Sequence, residues 1–233
     1  MGVIYLVRHG QASFGADDYD QLSPLGQEQA KRLGEWINDC GLTISAIATG
    51  TLKRHLQSAA ACSTACPTQE PVWWQEDAGF NEFDHHEILV RHRPEFAAPQ
   101  ALNAFLAQDG NPRRTFQQIF SRAVARWTGG EHDADYAESF AAFRERVTAA
   151  LQRLINTASQ GHDIWTFTSG GAITAIVQGL LAIPDRQVFE LNWTLVNTGV
   201  TKLMYRPGRV SLSYINNHAH LERLQQPELI TYR

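Results

Sequence analysis

The run Val3-Ile4-Tyr5-Leu6-Val7, closed by Arg8-His9-Gly10, decides the fold. Five apolar residues, mostly β-branched or aromatic, stand together before a polar turn, which predicts a strand buried on both faces at the centre of a parallel sheet. Outward from it, Ser23-Pro24 supplies an N-cap and an N1 proline for a helix. Leu25, Ala30, Leu33, Trp36 and Ile37 recur there at helical spacing, and Gly41 ends it. Residues 44–48 predict a second strand, and Thr49-Gly50-Thr51 leads into a helix with Leu52, Leu56, Ala59 and Ala60 on one face.

The rest of the chain repeats this alternation. After Pro67 and Pro71, Val72-Trp73-Trp74 reads as a third strand; residues 87–132 look helical in pieces, broken by Pro94, Pro99 and Pro112. They form an insertion over about 85–135 with no linker composition to set it apart. A long helix over about 137–158 returns the chain to a strand at 163–168, a turn at Ser169-Gly170-Gly171 and a buried helix at 172–181. Residues 201–205 and 210–215, flanking Pro207-Gly208, read as a terminal hairpin. Strands alternating with helices predict an α/β fold, a three-layer αβα sandwich. Its central sheet is mostly parallel with helices on both faces, in one domain spanning 1–233 with the helical insertion lying over the active site.

Composition narrows the function. With 233 residues, 43% hydrophobic and 19% charged, the chain can build a packed core, which excludes wholesale disorder. The net charge of −4 has no basic block, so no nucleic acid and no membrane partner is expected. Three cysteines point to a reducing compartment, and Cys62 and Cys66, four apart, read as small buried apolar residues. The apolar run at 3–7 is too short for a leader or a membrane span, so a cytoplasmic location is expected, where the sequon at Asn192 carries no weight. His85, His86, Glu87 and His92 lack the spacing of a metal-binding helix, so no metal is expected. His218 and His220 read as structural, and Trp73, Trp74, Trp127 and Trp165 as core.

In an open α/β sheet the ligand crevice lies beyond the carboxyl ends of the strands. Those ends carry Arg8, His9 and Gly10, then Lys53 and Arg54 shortly after the second strand, then Ser169, Gly170 and Gly171. Guanidinium forks and helix N-terminal amides around one imidazole suit a phosphoryl group. Flanking arginines disfavour the charged ring, leaving His9 a neutral nucleophile at pH 7.

These residues carry a resemblance. VIYLVRHGQAS at 3–13 resembles the opening of the histidine phosphatase superfamily, with its phosphoglycerate-mutase-like fold. Leu22-Ser23-Pro24-Leu25-Gly26 followed by Gln29-Ala30 is similar to that family's LTxxGxxQA helix start. TLKRHLQSA at 51–59 is similar to SxLxRxxQTA and places the second phosphate-binding arginine at Arg54 rather than Lys53. Phe80-Asn81-Glu82 falls where the family carries its catalytic acid, with Asp84 the competing carboxylate, and Asn216 to His220-Leu221 is similar to the NxxxHL tail.

The resemblance implies a phosphatase that needs neither metal nor cofactor and hydrolyses a small phosphomonoester through a phosphohistidine on His9. Arg8, Arg54 and Glu82 complete the catalytic set; Gln11, Ser13, Ser169, Gly170 and His85 are expected to bind substrate. Where the family has a second histidine this chain has Ser169, and His85 or His86 is the candidate to fill that space. Residues 14–20 stand where mutases carry an asparagine and a Gly-Trp pair, which favours hydrolysis over transfer. Arg91, Arg93, Arg113 and Arg114 of the insertion are expected to meet further negative charge on the substrate. Alternatives are a weakly active or non-catalytic phosphate-binding regulatory module, mutase-type phosphoryl transfer, and a serine hydrolase using Ser169. The last needs glycine at 167, where Phe167 stands. A homodimer is left open.

Overall fold

The amino-terminal apolar run becomes β1 (Gly2–Arg8), the strand around which everything else is arranged. The structure, a computed structural model, describes residues 1–13, 20–67, 72–98, 100–158, 161–206 and 208–232. The other strands are β2 (Ala46–Thr49), β3 (Trp73–Glu76), β4 (Asp163–Thr168), β5 (Val200–Arg206) and β6 (Arg209–Asn217). Among the described residues they form a six-stranded sheet of order β3-β2-β4-β1-β5-β6. β1 pairs parallel with β4, with Arg8 opposite Thr168, and antiparallel with β5; β2 lies parallel to both β3 and β4. The carboxyl ends of the parallel strands therefore share one rim. Pro71, Pro99, Pro207 and residues 14–19, which figure in the sequence expectations, lie outside the described residues.

The helices are α1 (Pro24–Asp39), α2 (Lys53–Ala65), α3 (His85–His92), α4 (Ala101–Leu106), α5 (Pro112–Thr128), α6 (Phe140–Thr157), α7 (Gly170–Leu181), α8 (Asp185–Thr194) and α9 (Ala219–Glu222). Local chemistry sets their starts: Ser23 Oγ accepts from Gly26 N at 3.0 Å ahead of Pro24, and Ser139 Oγ accepts from Ala142 N at 3.2 Å. Asp84 Oδ1 accepts from Glu87 N at 2.9 Å to cap α3.

Alternate residues of the buried strands face opposite layers, as the period of two requires. Tyr5, Val7, Ile47, Trp165 and Phe167 pack with Leu33, Ile37, Ala59 and Cys62 from α1 and α2. Ile4, Leu6, Ala46, Ala48 and Ile164 pack on the other face with Phe143 and Val147 of α6, Ile173 and Val177 of α7, and Phe120 and Trp127 of α5. The αβα sandwich is as the sequence predicts. Cys62 and Cys66 are buried in it, and burial pushes both thiols above their ordinary range. Among the described residues no helix is long and apolar enough to cross a membrane.

Three expectations are corrected. Trp73 and Trp74 are each 44% exposed, because β3 is an edge strand, while Trp127 and Trp165 are core. The buried face of α2 is Arg54, His55, Ser58, Ala59 and Cys62, not the apolar stripe through Ala60, which is exposed. α7 begins at Gly170, directly after β4, so the three-residue turn does not exist as such. Helix α8, which the apolar pattern does not announce, follows α7 and returns the chain towards β5.

Candidate active site

At the end of β1 the backbone is held from every side. His9 N donates to Thr168 O at 2.8 Å, and Thr198 N donates to Arg8 O at 2.9 Å. Asn197 Nδ2 donates to His9 O at 3.0 Å, and Gly10 N donates to Ser58 Oγ at 3.0 Å. Gly10 must be glycine: a Cβ there would lie 2.3 Å from Gly26 O, where the loop crosses the start of α1. This close crossing explains both glycines of the two amino-terminal motifs at once.

His9 is 6% exposed. Its Nδ1 lies 2.6 Å from Gly10 O, and a carbonyl only accepts, so the hydrogen bond assigns the ring proton to Nδ1 and leaves the Nε2 lone pair unprotonated. Nε2 makes no hydrogen bond among the described residues. Burial first, then Arg54, Arg8 and His55, hold the ring well below the usual imidazole range, so it is neutral at pH 7. A neutral imidazole with a lone pair beside two guanidiniums has the chemistry to attack an anionic electrophile.

Arg8 Nη1 donates to Leu195 O, which aims the guanidinium along the crevice; a Cβ on Gly170 would stand 3.6 Å from Arg8 Nε and 2.5 Å from Asn192 Oδ1. Arg54 reaches the same region from α2. Its Nη1 pairs with Asp20 Oδ1 at 2.7 Å, and Asp20 Oδ2 accepts from Lys53 N at 2.9 Å.

From the opposite layer, Glu82 Oε2 accepts from Gly171 N at 3.1 Å, which fixes its carboxylate at the start of α7. A Cβ on Gly171 would lie 2.1 Å from Glu82 Oε1, so this glycine makes room for the carboxylate. The competing carboxylate, Asp84, is an exposed helix cap whose Oδ1 accepts from Glu87 N.

The imidazole that reaches Ser169 is not one of the expected pair. His55 Nε2 lies 2.6 Å from Ser169 Oγ, both residues are fully buried, and the His55 and His9 rings are 5.7 Å apart. His86 is exposed. His85 is partly exposed and packs edge-on against Phe83 at 4.4 Å; its pKa is lowered by desolvation, with Glu82, Arg54 and Arg8 among its charged neighbours, so it borders the site. The sequence signal for His55 was its place next to Arg54 in the motif at 51–59, on a helix face that apolar counting assigns elsewhere.

Gln11 Oε1 accepts from Ser23 Oγ at 2.8 Å and Gln11 N donates to Gln29 Oε1 at 2.8 Å, which ties the loop to α1. Ser13 N donates to Gln21 O at 2.8 Å. In the insertion, Arg91 pairs with Glu87 at 3.5 Å and Arg93 with Glu95 at 2.5 Å, whereas Arg113 and Arg114 are exposed at the start of α5. The serine-hydrolase geometry is absent: Ser169 has an ordinary extended φ of −112°, and His55 Nδ1 has no hydrogen-bond partner among the described residues, so no acid orients that ring.

Solved structures with the same architecture include phosphoglycerate mutase from Bacillus anthracis str. Sterne, at TM-score 0.67 and 14% identity, covering 97% of each chain. Phosphoserine phosphatase from Entamoeba histolytica, in complex with 3-phosphoglyceric acid, superposes at TM-score 0.63 and 20% identity over 95% of this chain and 100% of that one. Mycobacterial glucosyl-3-phosphoglycerate phosphatase does so at TM-score 0.61 and 18% identity over 93% and 99%. No curated protein matches in sequence. At these identities the structures establish the fold, and membership is set by the family model, which matches residues 4–218, from β1 to the residue before α9. The chain belongs to the histidine phosphatase superfamily, branch 1.

Proposed function

We propose that the protein is a phosphatase that hydrolyses a small phosphomonoester through a phosphohistidine on His9. The observation that carries the reading is the Nδ1 contact to Gly10 O, which leaves Nε2 as the lone-pair nitrogen in a crevice flanked by Arg8 and Arg54. His9 Nε2 attacks phosphorus in line, and the bond to the leaving oxygen breaks as Glu82 gives that oxygen its proton. Arg8 and Arg54 stabilise the charge on the equatorial oxygens. Water then attacks the phosphorus of phospho-His9 and loses a proton to Glu82, releasing inorganic phosphate and restoring both side chains. The neighbours named for phosphoserine and glucosyl-3-phosphoglycerate support small phosphomonoesters as the substrate class.

The test is hydrolysis of an aryl phosphate by the wild type and by His9→Ala, with rapid acid-free quenching to look for a phosphorylated histidine. Loss of turnover and of the adduct in the variant is expected. Equal rates in the two proteins overturn the proposal.

A further inference from the structure

We infer that His55 is a positioning residue that aims the hydroxyl of Ser169 into the anion crevice. Burial, then Arg54, holds His55 well below the usual imidazole range, so the ring carries one N–H. Nδ1 has no hydrogen-bond partner among the described residues and faces the backbone at Gly50, where an added Cβ would lie 2.3 Å away. A buried N–H without an acceptor costs more than an unused lone pair, so the proton belongs on Nε2. Nε2–H then donates to Ser169 Oγ at 2.6 Å.

With one lone pair of Oγ occupied by this bond, the hydroxyl proton of Ser169 points away from His55. Ser169 follows β4 at the rim where Thr168 O receives His9 N, so it stands next to the nucleophile. No other hydrogen bond engages its hydroxyl among the described residues. Accepting from Nε2–H excludes the O–H orientation towards His55, which leaves the proton for an oxygen bound in front of His9 with less rotor freedom to lose on binding. A hydroxyl left to rotate would lose part of that hydrogen bond, about three- to ten-fold in rate or affinity.

The rate arm of the test rests on the proposed phosphatase reading, whereas inorganic phosphate binding stands without it. Four variants are compared with wild type for kcat on an aryl phosphate and for phosphate dissociation constant by calorimetry: His55→Leu, His55→Gln, Ser169→Ala and the His55→Leu/Ser169→Ala double variant. His55→Leu is expected to weaken both by about three- to ten-fold. The double variant should be no worse than Ser169→Ala alone, because His55 acts only through that hydroxyl. Glutamine carries an N–H near the Nε2 position, so His55→Gln should recover most of the loss, and it reports on the inference even where the leucine variant does not fold. Additive losses in the double variant, or glutamine as impaired as leucine with melting unchanged, overturn the inference. If His9→Ala turns over as fast as wild type, the phosphatase reading has failed, and the phosphate constants alone decide the role of His55.

Discussion

In the proposed mechanism, Gly171→Ala separates the role of Glu82 from that of His9. The new Cβ would start 2.1 Å from Glu82 Oε1 and 2.8 Å from the Phe83 ring, whereas ordinary contact begins near 3.4 Å. Phe83 cannot retreat, because it is buried against Trp127 at 4.8 Å, Phe143 at 5.6 Å and Phe189 at 5.7 Å. Glu82 must therefore withdraw by about 1.3 Å, and its bond from Gly171 N is lost with it. A displacement of about 1 Å of a group that must meet the leaving oxygen costs on the order of a hundred-fold. Overpacking adds about 1–3 kcal/mol of destabilisation.

The assay is kcat for a series of aryl phosphates with increasingly basic leaving groups. Nitrophenoxide departs with little help from an acid, so the variant should lose less than about ten-fold there; phenoxide needs the proton and should lose about a hundred-fold. Glu82→Gln should show the same steepening. An equal loss across the series, or undiminished turnover of phenyl phosphate, refutes the placement of Glu82 as the acid and leaves it as a helix cap.

The buried histidines predict an acid limit to stability. His9, His55 and His220 are folded in the neutral form with lowered pKa values, His220 down to about 3 through burial, then His218 and Arg223. Above the unfolded value of about 6.5 they impose no penalty; below it the unfolded chain takes up protons that the folded chain refuses, costing about 1.4 kcal/mol per pH unit for each. Urea unfolding should show a loss of about 4 kcal/mol between pH 7.5 and 5.5 from these three alone, and a flat profile contradicts the assignment. Asn197→Ala removes the bonds to His9 O at 3.0 Å and Thr231 Oγ1 at 2.9 Å, which predicts about 1–3 kcal/mol of destabilisation, read calorimetrically as a lower Tm together with reduced kcat. Trp73→Thr on the exposed edge strand should cost under about 0.5 kcal/mol, while Trp165→Ala, fully buried, should cost about 3–5 kcal/mol in chemical denaturation.

What the sequence made legible follows from what apolar pattern encodes. Strand β4 matches its expected bounds because Asp163-Ile164-Trp165-Thr166-Phe167-Thr168 is short, β-rich and followed by Ser169-Gly170-Gly171. The same logic failed at α2, whose buried face carries Arg54, His55 and Ser58: this face is polar and buried, the combination that counting apolar residues excludes. It failed again at Trp73 and Trp74, since aromatic residues mark a strand without revealing whether it is central or at the edge. The gathering of Arg8, His9, Arg54 and Glu82 at one rim was legible because each belongs to a motif tied to a strand end. His55 was not, because its partner Ser169 is 114 residues away and only the sheet order brings β2 beside β4.

The backbone at the end of β1, where His9 stands, is also tied to the far end of the chain. Gln11 N donates to Gln29 Oε1, and Gln29 Nε2 donates to Thr231 Oγ1, each at 2.8 Å. Thr231 Oγ1 donates to Asn197 Oδ1 at 2.9 Å, and Asn197 Nδ2 closes the loop on His9 O at 3.0 Å. Gln29 and Asn197 are fully buried, so these bonds replace water that cannot enter. Next to them Thr198 holds a φ of +61°, and its hydroxyl is 2.9 Å from the buried ring of His220. A threonine in that backbone region is strained and persists only when its surroundings fix it. The His220 contact and the bond from Thr198 N to Arg8 O supply that constraint. The carboxyl-terminal segment thereby buttresses the backbone from which the His9 ring leaves the sheet.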